Sequence, residues 1–382
     1  MADRFPATFL QEWYADAHDS GWSDLSVSVP VGLPAGCGEA VVRQALADLA
    51  ARHEAFRTTL VRTAAGVEQE VAATATVPLT THADAPFQVC GGPLARAALT
   101  PGGVLLVAHH AICDGSSAGV AHRDLTELCL ARHEGRAPML PDLDLQFADY
   151  AVWEHAARQR PVPPYWRDRL RGLTRLRLAD PAALHRPARL ESVPLPVLPP
   201  GALAGSPGTT TSRVLGALAV AALQPFAGER VTVGLITSNR HRPELRHVVG
   251  DLWDQVPVTV DVSDDPVFDR LVVRYDEAVS AAQDHHVPLA VLAPLLGPGP
   301  LFDVRVNHFP DAVPDGGPPR RTDVVDRWWH GLSLLDFQFR TRPDGGVDGN
   351  LLVNVEAVPA DRVELIRERF GQVALAPVGG RR

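Results

Sequence analysis

The sequence predicts an α/β protein of two lobes, each a mixed β-sheet with helices packed against it. Three observations carry that prediction. Short apolar strands and apolar stripes at helical spacing follow one another along the whole chain. The chain has 382 residues, enough for a large core and more readily for two. Near the middle lies a Pro- and Gly-rich stretch, ESVPLPVLPPGALAGSPG, where proline forbids regular helix and favours extended backbone. The expected division is a first lobe at 1–184, a connection at 185–208 and a second lobe at 209–382.

Phe5 to Asp16 reads as a short amphipathic helix with Leu10, Trp13 and Tyr14 on one side. Leu25, Val27, Val29 and Val31 alternate as in a half-buried strand. In Gly38–Arg52, Val42, Ala45, Leu46 and Leu49 form a helical stripe that runs into His53 and Arg57, which read as helix-end residues complementing the dipole. Val61–Ala72 and Arg96–Leu99 are expected strands, and Val104–Ala108 reads as the central one, buried on both faces. A helix follows, capped by Ser116 or Ser117 and ending near Arg132–Gly135. Asp142–Arg158 and Pro164–Leu173 are further helices. In the second lobe, Thr210–Leu223 is a helix whose Leu215, Leu218, Ala219 and Ala222 face a core, and Val231–Thr237 is a buried strand. Pro266–Gln283 is a long helix with Asp265 as cap and Pro266 at its first position, and Pro288 breaks it. Leu301–Phe309 is a strand; Leu332–Thr341 and Val347–Ala357 form a hairpin about Pro343-Asp344-Gly345-Gly346; Pro359–Phe370 is the closing helix.

The chemistry concentrates where the central strand gives way to a helix. After Val104–Ala108 come His109 and His110, then three residues, then Asp114-Gly115. A neutral imidazole accepts a proton from an attacking amine, hydroxyl or thiol near pH 7. Asp114 is open to three roles: a second base, a partner orienting a histidine, or half of a buried ion pair. Gly115 permits backbone conformations that other residues resist. The plainer reading is a core histidine beside a helix cap. Cys37, Cys90, Cys113 and Cys129 contain no CxxC pair, so a zinc site or redox couple is not expected, and Cys113 reads as a small buried apolar residue.

HHAICDG resembles the HHxxxDG signature of the condensation domains of nonribosomal peptide synthetases, in the superfamily of chloramphenicol acetyltransferase. Ala51–Leu60 resembles that family's RHExLRTxF, Pro86–Leu94 its PFDL…GPL, Gln146–Trp153 its QYADYAxW and Tyr165–Leu173 its YWxxxLxGL. Val233–Arg240 and Val249–Val258 correspond more loosely to a strand-GR segment and to VGxFxNT; His286-Val287-Pro288 and Pro300–Phe309 resemble HQDVPFE and PLFQVxFNYQ. The resemblance implies two acetyltransferase-like lobes in a V-shaped pseudo-dimer with the motif in the cleft. It implies a donor acyl thioester attacked by an amine or hydroxyl of an acceptor, each on the phosphopantetheine arm of a carrier protein or free, the acceptor then a small molecule. His110 is then the catalytic residue, accepting the proton or holding the tetrahedral species. Gly115 leaves room and offers an N–H. Asp114 pairs with Arg240, and His109 and Arg57 support the site. Trp253, Asp254 and Asn307 are candidate substrate-channel residues, and Asp254 stands where the family has asparagine. His285 and His286 read as complementing a helix dipole.

With no adenylation or carrier segment in these residues, a freestanding condensation enzyme is expected, with carrier proteins supplied in trans and no cofactor of its own. An acyl-CoA-dependent acyltransferase and a catalytically silent docking module are the alternatives. Net charge −9 disfavours nucleic-acid binding, and all 36 basic residues are arginine, which excludes Schiff-base chemistry. Nine arginines between Arg158 and Arg189 read as a solvated face or as a docking patch for an acidic carrier. No window approaches the roughly 20 apolar residues of a membrane span, and the N-terminus is unlike a signal peptide; a cytoplasmic monomer is expected.

Overall fold

The computed structural model describes residues 2–19, 25–83, 85–171, 173, 175–180, 189–203, 209–296, 300–309 and 333–376. They form two compact units: the first takes the described residues up to Arg160 together with Ser238–Trp253, and the second takes the rest. This corrects the expected boundary. The chain changes unit at Arg160–Pro161, and within the supposed connection Leu190–Pro194 is a strand at the edge of the second unit's sheet. Proline is tolerated there because an edge strand has one side that needs no donor. Residues 185–188 and 204–208 of that stretch lie outside the described residues.

The first unit contains β1 (Asp3–Pro6), α1 (Phe9–Asp19), β2 (Ser26–Gly32), α2 (Glu39–Arg52), β3 (Thr58–Thr63), β4 (Gly66–Val71), β5 (Ala95–Thr100), β6 (Gly103–His109), α3 (Gly115–Glu134) and α4 (Phe147–Arg158). Its strands form two three-stranded antiparallel sheets, β1-β4-β3 and β2-β6-β5. The stretch Val61–Ala72, expected as one strand, lies mostly in a hairpin, because Gly66 takes a left-handed φ of 129° and turns the chain. The first helix starts at Phe9, four residues later than expected, because Phe5 and Pro6 pair with β4. Thr8 and Gln11 close a capping box there: the Gln11 N–H donates to Thr8 Oγ1 at 3.2 Å and the Thr8 N–H to Gln11 Oε1 at 3.0 Å. In the same way α4 starts at Phe147 under a Gln146–Asp149 capping box rather than at Asp142. The cap of α3 is Asp114, not Ser116 or Ser117: its Oδ1 accepts the Ser117 N–H at 2.7 Å.

The second unit contains α5 (Pro164–Leu170), β7 (Leu190–Pro194), α6 (Thr211–Leu223), β8 (Arg230–Thr237), β9 (Asp254–Asp261), α7 (Phe268–Asp284), α8 (Leu289–Leu292), β10 (Val304–Phe309), β11 (Leu335–Thr341), β12 (Val347–Asn354) and α9 (Ala360–Leu375). One mixed six-stranded sheet runs β7-β12-β11-β10-β8-β9, with β10 parallel to both neighbours. Helix α6 is buried on every side from Val214 to Leu223, not on one stripe, because α7 and α9 both pack on it. The cap of α7 is Val267; Asp265 instead occupies a left-handed turn at φ 47°, so the expected cap at Asp265 with Pro266 in first position is corrected. That helix ends at Asp284, ahead of Pro288, which instead precedes α8. No helix among the described residues is long and apolar enough to cross a membrane.

Gly216 sets how closely α6 approaches α7. A Cβ added there would lie 2.1 Å from Cζ of the fully buried Tyr275. Alanine improves an isolated helix by about 1 kcal/mol, whereas overpacking costs typically about 1–3 kcal/mol. With a contact as close as 2.1 Å the cost falls toward the upper end, and Gly216→Ala is therefore expected to lower unfolding free energy by about 1–2 kcal/mol in a urea titration. A raised midpoint would show that the Tyr275 ring yields without cost.

Candidate active site

Backbone pairing carries β6 beyond its last residue. The His109 N–H donates to the Leu94 carbonyl and the His110 N–H to the Leu25 carbonyl, both at 2.7 Å. A single 3₁₀ turn over His110–Ile112 follows, held by Gln11 Nε2 donating to the Ala111 carbonyl at 3.1 Å. The two adjacent histidines therefore end in opposite surroundings. His109 is buried, its Nδ1 accepting the Ala111 N–H at 3.1 Å and its ring edge-on to Tyr14 and Phe87. Burial, with His110 and His18 nearby, takes its pKa down to about 3, so it stays neutral. The His110 ring is about one-quarter exposed: 24% of the side chain remains accessible. Cys113 is fully buried and burial pushes its thiol far up, which removes it as a nucleophile.

Asp114 and Arg240 come together at 2.7 Å, with 3% and 8% of their side chains exposed. Asp114 Oδ2 accepts from Arg240 Nη1 and from the Leu252 N–H at 3.0 Å, while Oδ1 caps α3. Arg240 Nη2 donates to Ser117 Oγ at 2.8 Å, and Ser117 Oγ in turn binds both the N–H and the carbonyl of Gly250. Burial pushes the Asp114 carboxyl up, but the Arg240 guanidinium, with the Ser117 and Leu252 N–H groups, outweighs it and holds the group below the ordinary 3.8. Arg240, Gly250 and Leu252 all lie on residues 238–253, the connection between β8 and β9, which belongs to the first unit. Gly250 can be no larger: a Cβ would lie 2.4 Å from the Phe147 ring.

The same segment delivers a residue that sequence reasoning missed. Asp251 Oδ1 lies 2.9 Å from His110 Nδ1, and Asp251 has no exposed side-chain surface. The Tyr14 hydroxyl lies 3.2 Å from the same nitrogen. Burial lifts the Asp251 carboxyl to about 6, with His110 opposing the rise. Burial pulls the His110 imidazole down, but the charge of Asp251 and the bond to it, helped by Asp114, leave it above the ordinary 6.5. The only signal in sequence was an acidic residue directly after the glycine of VGxFxNT, a position that pattern leaves open.

The remaining expected residues divide. Gly115 is exposed, is the first residue of α3 and needs no left-handed φ; a Cβ there would meet nothing within 4 Å, so its glycine leaves space rather than permitting a turn. Arg57 donates to the Ala72 carbonyl and to Glu54 Oε1, bracing the β3–β4 hairpin. His53 is not a dipole partner but pairs with buried Asp124 of α3 at 2.8 Å. Trp253 is partly buried in the first unit, with no partner for Nε1 among the described residues. Asp254 and Asn307 belong to the second unit. Asp254 is a structural pin rather than a channel lining: it is buried, accepts the Leu289 N–H at 3.1 Å and holds His286 Nε2 at 3.0 Å. His286 is thereby a carboxylate partner rather than a dipole complement, and His285 stacks on Tyr165 at 4.1 Å. Asn307 is partly buried on β10. The arginine-rich patch is also reduced, since Arg158, Arg175, Arg177 and Arg189 bind partners within the fold and Arg186 lies outside the described residues. Among the described residues no cluster of His, Cys, Asp and Glu has the makings of a metal site.

Arg240→Ala leaves Asp114 buried without its counter-charge. The expected loss is about 3–5 kcal/mol of unfolding free energy at neutral pH. Because the folded pKa of Asp114 lies below 3.8, its contribution is complete above that value and lost as pH falls through the folded pKa. An acid titration by circular dichroism should accordingly show Arg240→Ala unfolding at higher pH than the wild type.

Comparison with known proteins adds three relatives and a family. A probable non-canonical nonribosomal peptide synthetase, CymA of Salinispora arenicola, is 29% identical over 423 residues, covering 96% of this chain. The phosphinothricin tripeptide synthetase PhsC of Streptomyces viridochromogenes is 27% identical over 330 residues, covering 72% of it. The chain spans only 5% of the length of CymA and 29% of PhsC. The X-domain from teicoplanin biosynthesis, solved in complex with OxyB, is 26% identical with a TM-score of 0.75, covering 100% of this chain and 95% of that one. The family model described as "Condensation domain" matches residues 1–308. That match takes in the motif, Arg240 and the β8–β9 connection that completes the site, and it establishes that this chain belongs to the condensation-domain family.

Proposed function

We propose that the chain transfers an acyl group from a thioester to an amine or hydroxyl acceptor, as one step in the biosynthesis of a nonribosomal-peptide-type natural product. The observation that carries this reading is His110, gripped at Nδ1 by Asp251 at 2.9 Å with its ring partly open. A carboxylate only accepts, so Nδ1 carries the hydrogen and Nε2 keeps its lone pair. The acceptor gives its proton to Nε2 as it attacks the thioester carbonyl. The N-terminus of α3, with Gly115 as its first residue, stabilises the growing oxyanion. The adduct then collapses: the C–S bond breaks, the imidazolium returns its proton to the departing sulfur, and a C–N or C–O bond remains. Asp114 takes no part in proton transfer, since Arg240 and two N–H groups occupy it.

The donor in this reading is carried on the phosphopantetheine arm of a carrier protein. The likeness to CymA and PhsC, both described as peptide synthetases, supports that choice over a free coenzyme A ester. A second reading has its own support: the X-domain, 26% identical over the whole chain, is known in complex with OxyB, which favours a docking module.

The test supplies the same acyl group on a carrier protein and on coenzyme A, with wild type and His110→Ala. Transfer is expected from the carrier-bound donor, with a loss of about 10²–10⁴-fold in His110→Ala and carrier binding unchanged. Faster turnover of the coenzyme A ester would replace the carrier. Equal product in both variants would remove His110 as the base, and no product from a wild type that still binds a partner enzyme would favour docking.

A further inference from the structure

We propose that this site is built for a hydroxyl acceptor, with Asp251 as the positioning residue that makes His110 a base able to activate an alcohol. The proposal rests on the acyl-transfer reading above and narrows it to O-acylation.

The argument starts from what each acceptor needs. A free amine with a pKa near 8 already presents a lone pair at neutral pH and sheds its proton after attack. A hydroxyl, with a pKa close to that of water at about 15.7, is a poor nucleophile until a base draws on its proton. Only the second demands a base whose cation is stabilised as it forms. A buried carboxylate on the far nitrogen of an imidazole supplies that stabilisation and fixes the tautomer. His110 and Asp251 have this arrangement, at 2.9 Å and with the carboxylate wholly buried. The grip is rigid. The residues on either side of Asp251 are pinned through their backbones, Gly250 to Ser117 and Leu252 to Asp114. Tyr14 closes the remaining side, with its hydroxyl 3.2 Å from Nδ1 and hydrogen-bonded to Asp251.

The chain contains its own contrast. His53 Nε2 meets Asp124 at 2.8 Å, as close as the other pair, and both groups are buried. Asp124, however, is shared with Arg52 and Arg123 at 2.8 and 2.7 Å. Its charge is neutralised, and burial holds the imidazole below its ordinary value despite the carboxylate. Asp251 has no arginine within ion-pair distance among the described residues, so no guanidinium competes with His110 for its charge; the Tyr14 hydroxyl that also bonds it is neutral. Among the described residues, the titratable and charged groups around His110 are Asp251, Tyr14, Asp114 with its Arg240, and neutral His109. A structural ion pair has no need of a carboxylate left unneutralised by arginine beside a partly exposed ring; a base for a weakly acidic acceptor does.

The experiment has two arms. In the first, ¹⁵N-labelled histidine is followed by NMR across pH in wild type, Asp251→Asn and Asp251→Glu, with His110→Ala to assign the resonance. Wild type should show hydrogen on Nδ1 and titrate above 6.5; Asp251→Asn should titrate at least one unit lower, with Asp251→Glu between them. Hydrogen on Nε2, or equal titration in wild type and Asp251→Asn, overturns the pairing. Folded spectra in each variant exclude collapse as the cause. In the second arm, a carrier-bound short acyl thioester is offered to matched primary alcohols and amines. Wild type should acylate the alcohol, and Asp251→Asn should lose about 10²–10⁴-fold on alcohols but under tenfold on amines. The acid limb of log kcat/KM should move down in pH with the NMR value. Amines preferred by wild type, or equal losses on both acceptors, overturn the hydroxyl assignment. If wild type transfers to neither, the acyl-transfer reading falls and takes the acceptor class with it, while the NMR arm still decides the pairing.

Discussion

One carboxylate holds the site together. Asp114 starts α3, accepts the Arg240 guanidinium and the Leu252 N–H, and through its own N–H binds the Gly250 carbonyl. Removing a charge from water this completely costs several kcal/mol, and the cost is offset only because every direction around the carboxylate is filled. The geometry of the bound segment then decides where Asp251 can lie. His110 needs no contact with Asp114 to depend on it: the ion pair sets the backbone on both sides of the residue that grips the imidazole.

The histidines show how little residue type alone determines. His109 and His110 are neighbours, yet one is a neutral core ring and the other a partly open ring with a raised pKa. His53 and His286 each meet a carboxylate, and in both cases that carboxylate is committed elsewhere as well, to arginines or to a helix start. The environment, not the imidazole, divides structural from reactive behaviour.

Most of the fold was legible because long elements carry a period. The stripe of α2, the apolar run of β6 and the Pro-Asp-Gly-Gly hairpin turn all fall where the pattern put them. What was not legible was short or nonlocal. β1 has four residues ending in proline, with no alternation to detect. Helix starts were misread where a capping box of Thr8 with Gln11, or Gln146 with Asp149, overruled the hydrophobic pattern. In the site, the motif itself advertised His110 and Asp114. Asp251 is silent in sequence because its meaning is a contact 141 positions away in the chain, and the acidic residue of that segment that departs from the family pattern, Asp254, serves the second unit.

The β8–β9 connection gives the first unit a discontinuous sequence. A fragment ending at residue 160 would lack Arg240, Gly250 and Asp251. During synthesis, therefore, Asp114 lacks its counter-charge while 80 further residues, from 161 to Arg240, are added, an interval of roughly 4–16 s at about 5–20 residues per second. The early portion of this chain cannot complete itself alone, and its final locking is timed by the arrival of a loop encoded beyond the start of its neighbour.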